Sequence, residues 1–171
     1  MARLPRVALY SAPARGTDFV QKSEPGRSTL QGRVLAIDMG SKRVGLAVSD
    51  ELRLTVRTLP ALPRTPWKRL LGSLTELCEQ FDVRSIVLGL PLRLDGSEGD
   101  AAQEVRRVAR NLQLSLKLPL FFQDERLTSK EAESSLRARG LQGVEISDRV
   151  DSEAASIILS DFLGMQKRAE G

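Results

Sequence analysis

Apolar positions along the chain change spacing several times, and the changes mark out its elements. Val34, Leu35, Ala36 and Ile37 form an unbroken apolar run closed by Asp38, the pattern of a buried strand over 34–38. A second such run over 44–49 follows the turn Met39-Gly40-Ser41-Lys42-Arg43 and predicts a strand partner. Residues 54–59 are predicted as a third strand, shorter and more polar. Thr65-Pro66 then reads as an N-cap followed by proline at the first helical position. Trp67, Leu70, Leu71, Leu74, Leu77, Cys78 and Phe81 recur at three- and four-residue spacing, one apolar face of a helix.

The strand pattern returns over 84–88, followed by a long loop over 89–99 that is dense in turn residues. Ala101, Ala102, Val105, Val108, Ala109 and Leu112 predict a second helix, and 118–122 a fifth strand. Thr128 and Glu131 have the spacing of a capping box for a third helix that Gly140 stops. A last helix is predicted over about 150–163.

Short turns make the first three strands an antiparallel meander. Strands reached through helices lie parallel to the first by right-handed crossovers. The expected fold is therefore α/β: a mixed five-stranded sheet with helices on both faces. At one edge of that sheet the ends of the first, fourth and fifth strands would bring Asp38, Gly89 and Glu125 together.

Composition narrows this picture. The chain has 171 residues, enough for one domain, and is 41% hydrophobic and 28% charged, as globular proteins are. Residues 1–32 mix Arg, Pro, Gly and Ser without periodicity and are expected to be a disordered extension, with the domain spanning 33–171. They read as a flexible basic arm or an upstream start, and their early arginines superficially resemble a transit peptide. The net charge is +4, but the extension holds five basic groups against Asp18 and Glu24. Only 21 basic against 20 acidic groups remain in the domain, so local placement rather than global charge must carry any nucleic-acid contact. Aromatic residues make up 4%, too few for base stacking to dominate. Cys78 is the only cysteine and excludes an intrachain disulfide. No apolar stretch approaches the roughly 18 residues needed to cross a bilayer, so no membrane partner is expected.

The candidate chemistry lies in three acids at element ends. Asp38 closes the first strand, Glu125 follows the fifth, and Asp151 opens the alanine-rich segment of the last helix. With no histidine in the chain, their convergence would give an all-oxygen ligand set, suited to Mg²⁺ or Mn²⁺ and unsuited to zinc. Phosphoryl transfer is the chemistry that most often needs such a set, which points to a metal-dependent nuclease. In a two-metal site Asp38 would bridge ions about 4 Å apart. Each acid also has an ordinary reading: a turn acceptor for Asp38, an ion-pair partner of Arg126 for Glu125, a first-turn helix acid for Asp151. Asp124 competes with Glu125, and Asp148 is either a fourth ligand or a plain loop acid. Lys42 and Arg43 at the turn tip, with Arg93 and Arg126 on neighbouring loops, are the candidate contacts to substrate phosphate. Arg106, Arg107 and Arg110 read as the wet face of the second helix.

Four spaced motifs carry a resemblance. Ala36-Ile-Asp-Met-Gly-Ser-Lys-Arg-Val-Gly-Leu-Ala-Val-Ser-Asp50, Gly89-Leu-Pro-Leu with Asp95-Gly-Ser97, Asp124-Glu-Arg-Leu-Thr128 and Val150-Asp-Ser-Glu-Ala-Ala155 occur in order. Together they resemble the YqgF/RuvX family of Holliday-junction-resolvase-like nucleases, also described as pre-16S rRNA nucleases. The resemblance covers about 33–165 and implies a ribonuclease H-like fold, with Asp38, Glu125 and Asp151 at the positions of an acidic triad. It further implies cytoplasmic work in ribosomal RNA maturation, with structured RNA or branched DNA as substrate and the assembling small ribosomal subunit as a partner. A Holliday junction resolvase or DNA repair nuclease is the alternative, and a non-catalytic assembly factor the rival from another class. Symmetric junction cleavage would ask for a dimer, yet no dimer face is legible, so a monomer or weak homodimer is expected.

Overall fold

The structure, a computed structural model, describes residues 8–9, 31–125, 134, 137–140 and 144–170. Six strands form one sheet: β1 (Ala8–Leu9), β2 (Arg33–Met39), β3 (Arg43–Ser49), β4 (Val56–Pro63), β5 (Val83–Leu90) and β6 (Leu120–Asp124), in the order β1-β6-β5-β2-β3-β4. β3 runs antiparallel to both β2 and β4, while β5 runs parallel to both β2 and β6. This is the mixed five-stranded arrangement that the hydrophobic pattern predicts. One addition falls inside the segment expected to lack structure, where Ala8 and Leu9 pair antiparallel with Phe122 and Phe121.

Strand alternation divides the core into two layers. Leu35, Ile37, Leu46, Ile86, Leu88 and Phe122 face one side. There they pack against α1 (Trp67–Gln80), which buries Leu70, Leu74 and Cys78, and α2 (Asp100–Leu116), which buries Ala102, Val105, Ala109 and Leu112. Val34, Ala36, Ala47, Val87 and Phe121 face the other side, against α3 (Val144–Glu170) through Ala155, Ile158, Leu159 and Phe162. The Phe121 and Phe162 rings lie 5.4 Å apart. Burial of each such large side chain is worth about 1.5–3 kcal/mol. Ala36 and Ala47 keep the second layer thin, so α3 rides close to the sheet.

Several boundaries differ from the sequence reading. β4 runs on through Pro60 to Pro63 because it is an edge strand, where a missing N–H breaks no ladder bond. β6 is displaced two residues along the chain, after the left-handed Lys117 closes α2. Pro66 is the cap of α1 and not its first helical residue; its backbone is extended (φ −75°, ψ 150°) after a cis Thr65–Pro66 bond, and no side chain caps the helix. α3 begins at Val144, so Asp151 lies two turns inside it and not at its start. The capping box at Thr128 and Glu131 lies outside the described residues, whereas Gly140 has the positive φ (82°) of a helix stop.

Candidate active site

Asp38 sits at the end of β2 on the α3 side of the sheet, by alternation from Val34 and Ala36. Its register partner on β3 is Gly45. A Cβ at Gly45 would lie 1.8 Å from the Asp151 carbonyl oxygen and 2.8 Å from the Ser152 nitrogen. Only a residue without a side chain lets α3 cross β3 there, and the crossing is what carries Asp151 to the end of β2. Ser152 fixes the helix's position by donating from its hydroxyl to the Leu59 carbonyl of β4 at 2.7 Å.

Glu125 arrives from the other direction, immediately after β6, with its N–H donating to the Leu90 carbonyl at 3.2 Å. Its side chain lies over Gly89, where a Cβ would stand 2.2 Å from Glu125 Oε2 and 2.6 Å from Ile158 Cδ1. Gly89 therefore provides the space that the Glu125 carboxyl occupies. From there Glu125 hydrogen-bonds directly to Asp38, which is only 8% exposed.

The electrostatics follow from this contact. Burial pushes the Glu125 carboxyl up to about 9, aided by the Asp38 charge, the hydrogen bond to Asp38 and the charge of Asp124. Asp38 is also raised, first by burial; the bond from Glu125 opposes that rise and the Asp151 charge adds to it. Glu125 thus keeps its proton near neutral pH, and the hydrogen bond it makes to Asp38 favours the charged form of that carboxyl. Asp151 is raised by burial, and the Arg43 charge opposes the rise.

Asp38 and Glu125 are therefore in contact, with Asp151 near enough for its charge to act on Asp38. Among the described residues no group of three or more His, Cys, Asp or Glu side chains forms a cage that could hold a metal ion as it stands. The donor chemistry nonetheless suits a divalent cation. Asp38 and Glu125 bring carboxyl oxygens together, the hard donors such an ion takes, and the proton that Glu125 keeps is one that a cation would displace. Asp124 acts on Glu125 through its charge, and Glu125 is the residue that bonds Asp38.

A family model described as "RuvX: Holliday junction resolvase" matches residues 32–165. The chain belongs to the RuvX family. A "Putative pre-16S rRNA nuclease" of Syntrophus aciditrophicus (strain SB) is 43% identical over 131 residues, 77% of this chain and 87% of that protein. One of the same name from Anaeromyxobacter sp. (strain K) is 43% identical over 131 residues, 77% of this chain and 96% of that protein. The solved structure "T. thermophilus RuvC in complex with Holliday junction substrate" superposes with a TM-score of 0.51 at 15% identity, covering 78% of this chain and 96% of that one. That likeness shows the fold, which is RuvC-like and of the ribonuclease H kind.

In this RuvX chain the candidate phosphate contacts are placed unevenly. Lys42 is exposed on the β2–β3 turn. Arg43 is half-buried, and its charge acts on Asp151. Arg93 is exposed on the loop after β5, its N–H donating to the Ser97 carbonyl at 2.9 Å and its guanidinium alongside Gly99. Arg126 and the side chain of Asp148 lie outside the described residues. Arg106 departs from the expected wet face, since it pairs with Glu98 and lies 4.9 Å over the Phe122 ring. Sequence reasoning passed over Gly45, whose only signal was a glycine inside a strand. It also passed over Arg64, which bonds two backbone carbonyls distant in sequence and pairs with Glu104. No helix among the described residues is long and apolar enough to cross a membrane.

Proposed function

We propose that the chain is a divalent-metal-dependent nuclease that hydrolyses phosphodiester bonds in structured nucleic acid, with precursor 16S rRNA as its substrate. The observation that carries this reading is the contact between the carboxyls of Asp38, buried at the strand end, and half-buried Glu125, with the Asp151 charge near them. Like-charged carboxyls are held together only where a cation or a proton offsets them. The names of the 43% identical relatives support the substrate.

Asp38, Glu125 and Asp151 would hold Mg²⁺ or Mn²⁺, as two ions. When bound, the metal supplies Lewis acidity toward the phosphate and an activated water. The residues of the chain do the remaining work. Glu125 gives up its proton as the site charges, Asp38 keeps the fixed acceptor position at the strand end, and Arg43 restrains Asp151. Lys42, exposed at the turn tip, would pair with a backbone phosphate and so hold the strand against the carboxyls. Arg93 would serve the same purpose from the loop after β5, and Arg126 is proposed for it from the sequence alone.

The test is cleavage by the purified full chain of labelled structured RNA, single-stranded DNA and a four-way DNA junction, each with Mn²⁺, Mg²⁺ or EDTA. Metal-dependent cutting of the RNA supports the reading, and preference for the junction moves the substrate to branched DNA. Binding that survives EDTA, with no cutting under either metal, would make the protein a non-catalytic assembly factor.

A further inference from the structure

The link between β4 and α1 carries a residue whose contacts converge on the carboxyl site. Arg64 donates from one guanidinium nitrogen to the Gly40 carbonyl at 2.8 Å and from its backbone N–H to the Lys42 carbonyl at 3.0 Å. Its second guanidinium nitrogen pairs with Glu104 of α2. Two of these three contacts fall on the turn that separates Asp38 from Arg43. In that turn the Gly40 N–H donates to the Asp38 carbonyl at 3.2 Å, and a Cβ at Gly40 would stand 3.3 Å from Asp151 Oδ1. The segment that Arg64 holds thus bonds the backbone of one candidate ligand and passes beside the carboxylate of another.

The side chain of Arg64 is 19% exposed, against 50% for Glu104. The ion pair is therefore wet on its acidic side and contributes little, while the sheltered, charge-assisted bond to Gly40 carries most of the restraint. Guanidinium geometry is what allows one side chain to reach a carbonyl on the turn and a carboxylate on α2 together; a lysine ammonium can satisfy one of them at full strength.

We propose that Arg64 is a positioning residue of the carboxyl site. It holds the 40–42 turn so that Asp38, Asp151, Lys42 and Arg43 keep one mutual arrangement. The cause is the turn geometry; the consequence for cation binding rests on the function proposed above.

The full chain and its Arg64→Ala, Arg64→Lys and Glu104→Gln variants separate the two. Amide hydrogen exchange is read at residues 40–43 and, as internal control, at residues 35–37 of β2. Mn²⁺ affinity is read by titration calorimetry. Arg64→Ala should speed exchange of the turn about tenfold and leave the strand unchanged. It should weaken Mn²⁺ binding by about 10–100-fold, as the loss of other outer supports of metal sites does. Arg64→Lys, the variant to use if alanine prevents folding, should fall between alanine and the unaltered protein. Glu104→Gln should stay within about twofold in both readouts because an exposed pair contributes little. Unchanged turn exchange in Arg64→Ala and Arg64→Lys would overturn the proposal, as would a loosened turn with undiminished Mn²⁺ affinity. An unaltered protein that binds no Mn²⁺ would defeat the cation reading instead. The exchange rates would then still decide whether Arg64 holds the turn.

Discussion

Gly45 and Asp151 are in backbone contact: the carbonyl oxygen of Asp151 occupies the place where a Cβ on Gly45 would be, 1.8 Å away. One missing side chain on β3 therefore sets how close α3 comes to the sheet, and so whether its acid reaches Asp38. Because backbone on both sides cannot step aside, Gly45→Ala should cost at least the upper end of the roughly 1–3 kcal/mol typical of overpacking. The thermal midpoint should fall by about 6–12 °C for a chain of this size. A midpoint within 2 °C of the unaltered protein, an order-of-magnitude margin for about 1 kcal/mol, would show that the crossing is looser than described.

Gly89→Ala makes an instructive contrast. Its new Cβ would meet the ends of two side chains, Glu125 Oε2 and Ile158 Cδ1, which can rotate away. The stability loss should be about 1 kcal/mol, or 2–4 °C. Cleavage should suffer far more, because Glu125 is the group displaced. Parallel melting and cleavage assays check this. A variant that melts early and still cuts at the normal rate would remove Glu125 from the site.

Asp38→Asn should bring cleavage to background and leave the metal-free fold at least as stable as before. The amide oxygen still accepts the Glu125 proton, and the repulsion with Asp151 disappears. A circular-dichroism melt beside the cleavage assay tests both halves of this statement.

The raised Glu125 pKa makes a signed prediction about pH. Between the ordinary 4.5 of an exposed glutamate and about 9, the folded protein keeps a proton that the unfolded chain has released. Metal-free stability must therefore fall as pH rises through that window, and the contribution is fully lost above it. Glu125→Gln, which keeps a donor toward Asp38 and cannot ionise, should flatten that part of the curve. Denaturant titrations at pH 5, 7 and 9 measure the slope; equal slopes in the two proteins would refute the retained proton.

The sequence shows the two-layered sheet clearly because strand and helix spacings alternate without ambiguity from Val34 to Leu112. Asp38 is legible for the same reason, as a charge at the end of an apolar run. The true start of α3 is not, since the polar Glu145, Ser147, Asp148 and Arg149 leave no sustained helical stripe ahead of Val150. Pro60 and Pro63 conceal the length of β4, because edge position, which a sequence does not state, is what makes them tolerable. Arg64 reads as an ordinary linker charge, for its carbonyl partners at Gly40 and Lys42 are brought to it only by the pairing of β3 with β4. The proton that Glu125 keeps is a product of packing, and composition gives no sign of it.

The most direct measurement is the number of protons released when Mn²⁺ binds at pH 7, obtained from calorimetry in buffers of different ionisation enthalpy. Glu125 keeps its proton near neutral pH in the metal-free site, so the unaltered protein should release about one proton and Glu125→Gln close to none. Binding without proton release, or equal release from both proteins, would contradict a cation site at Asp38 and Glu125.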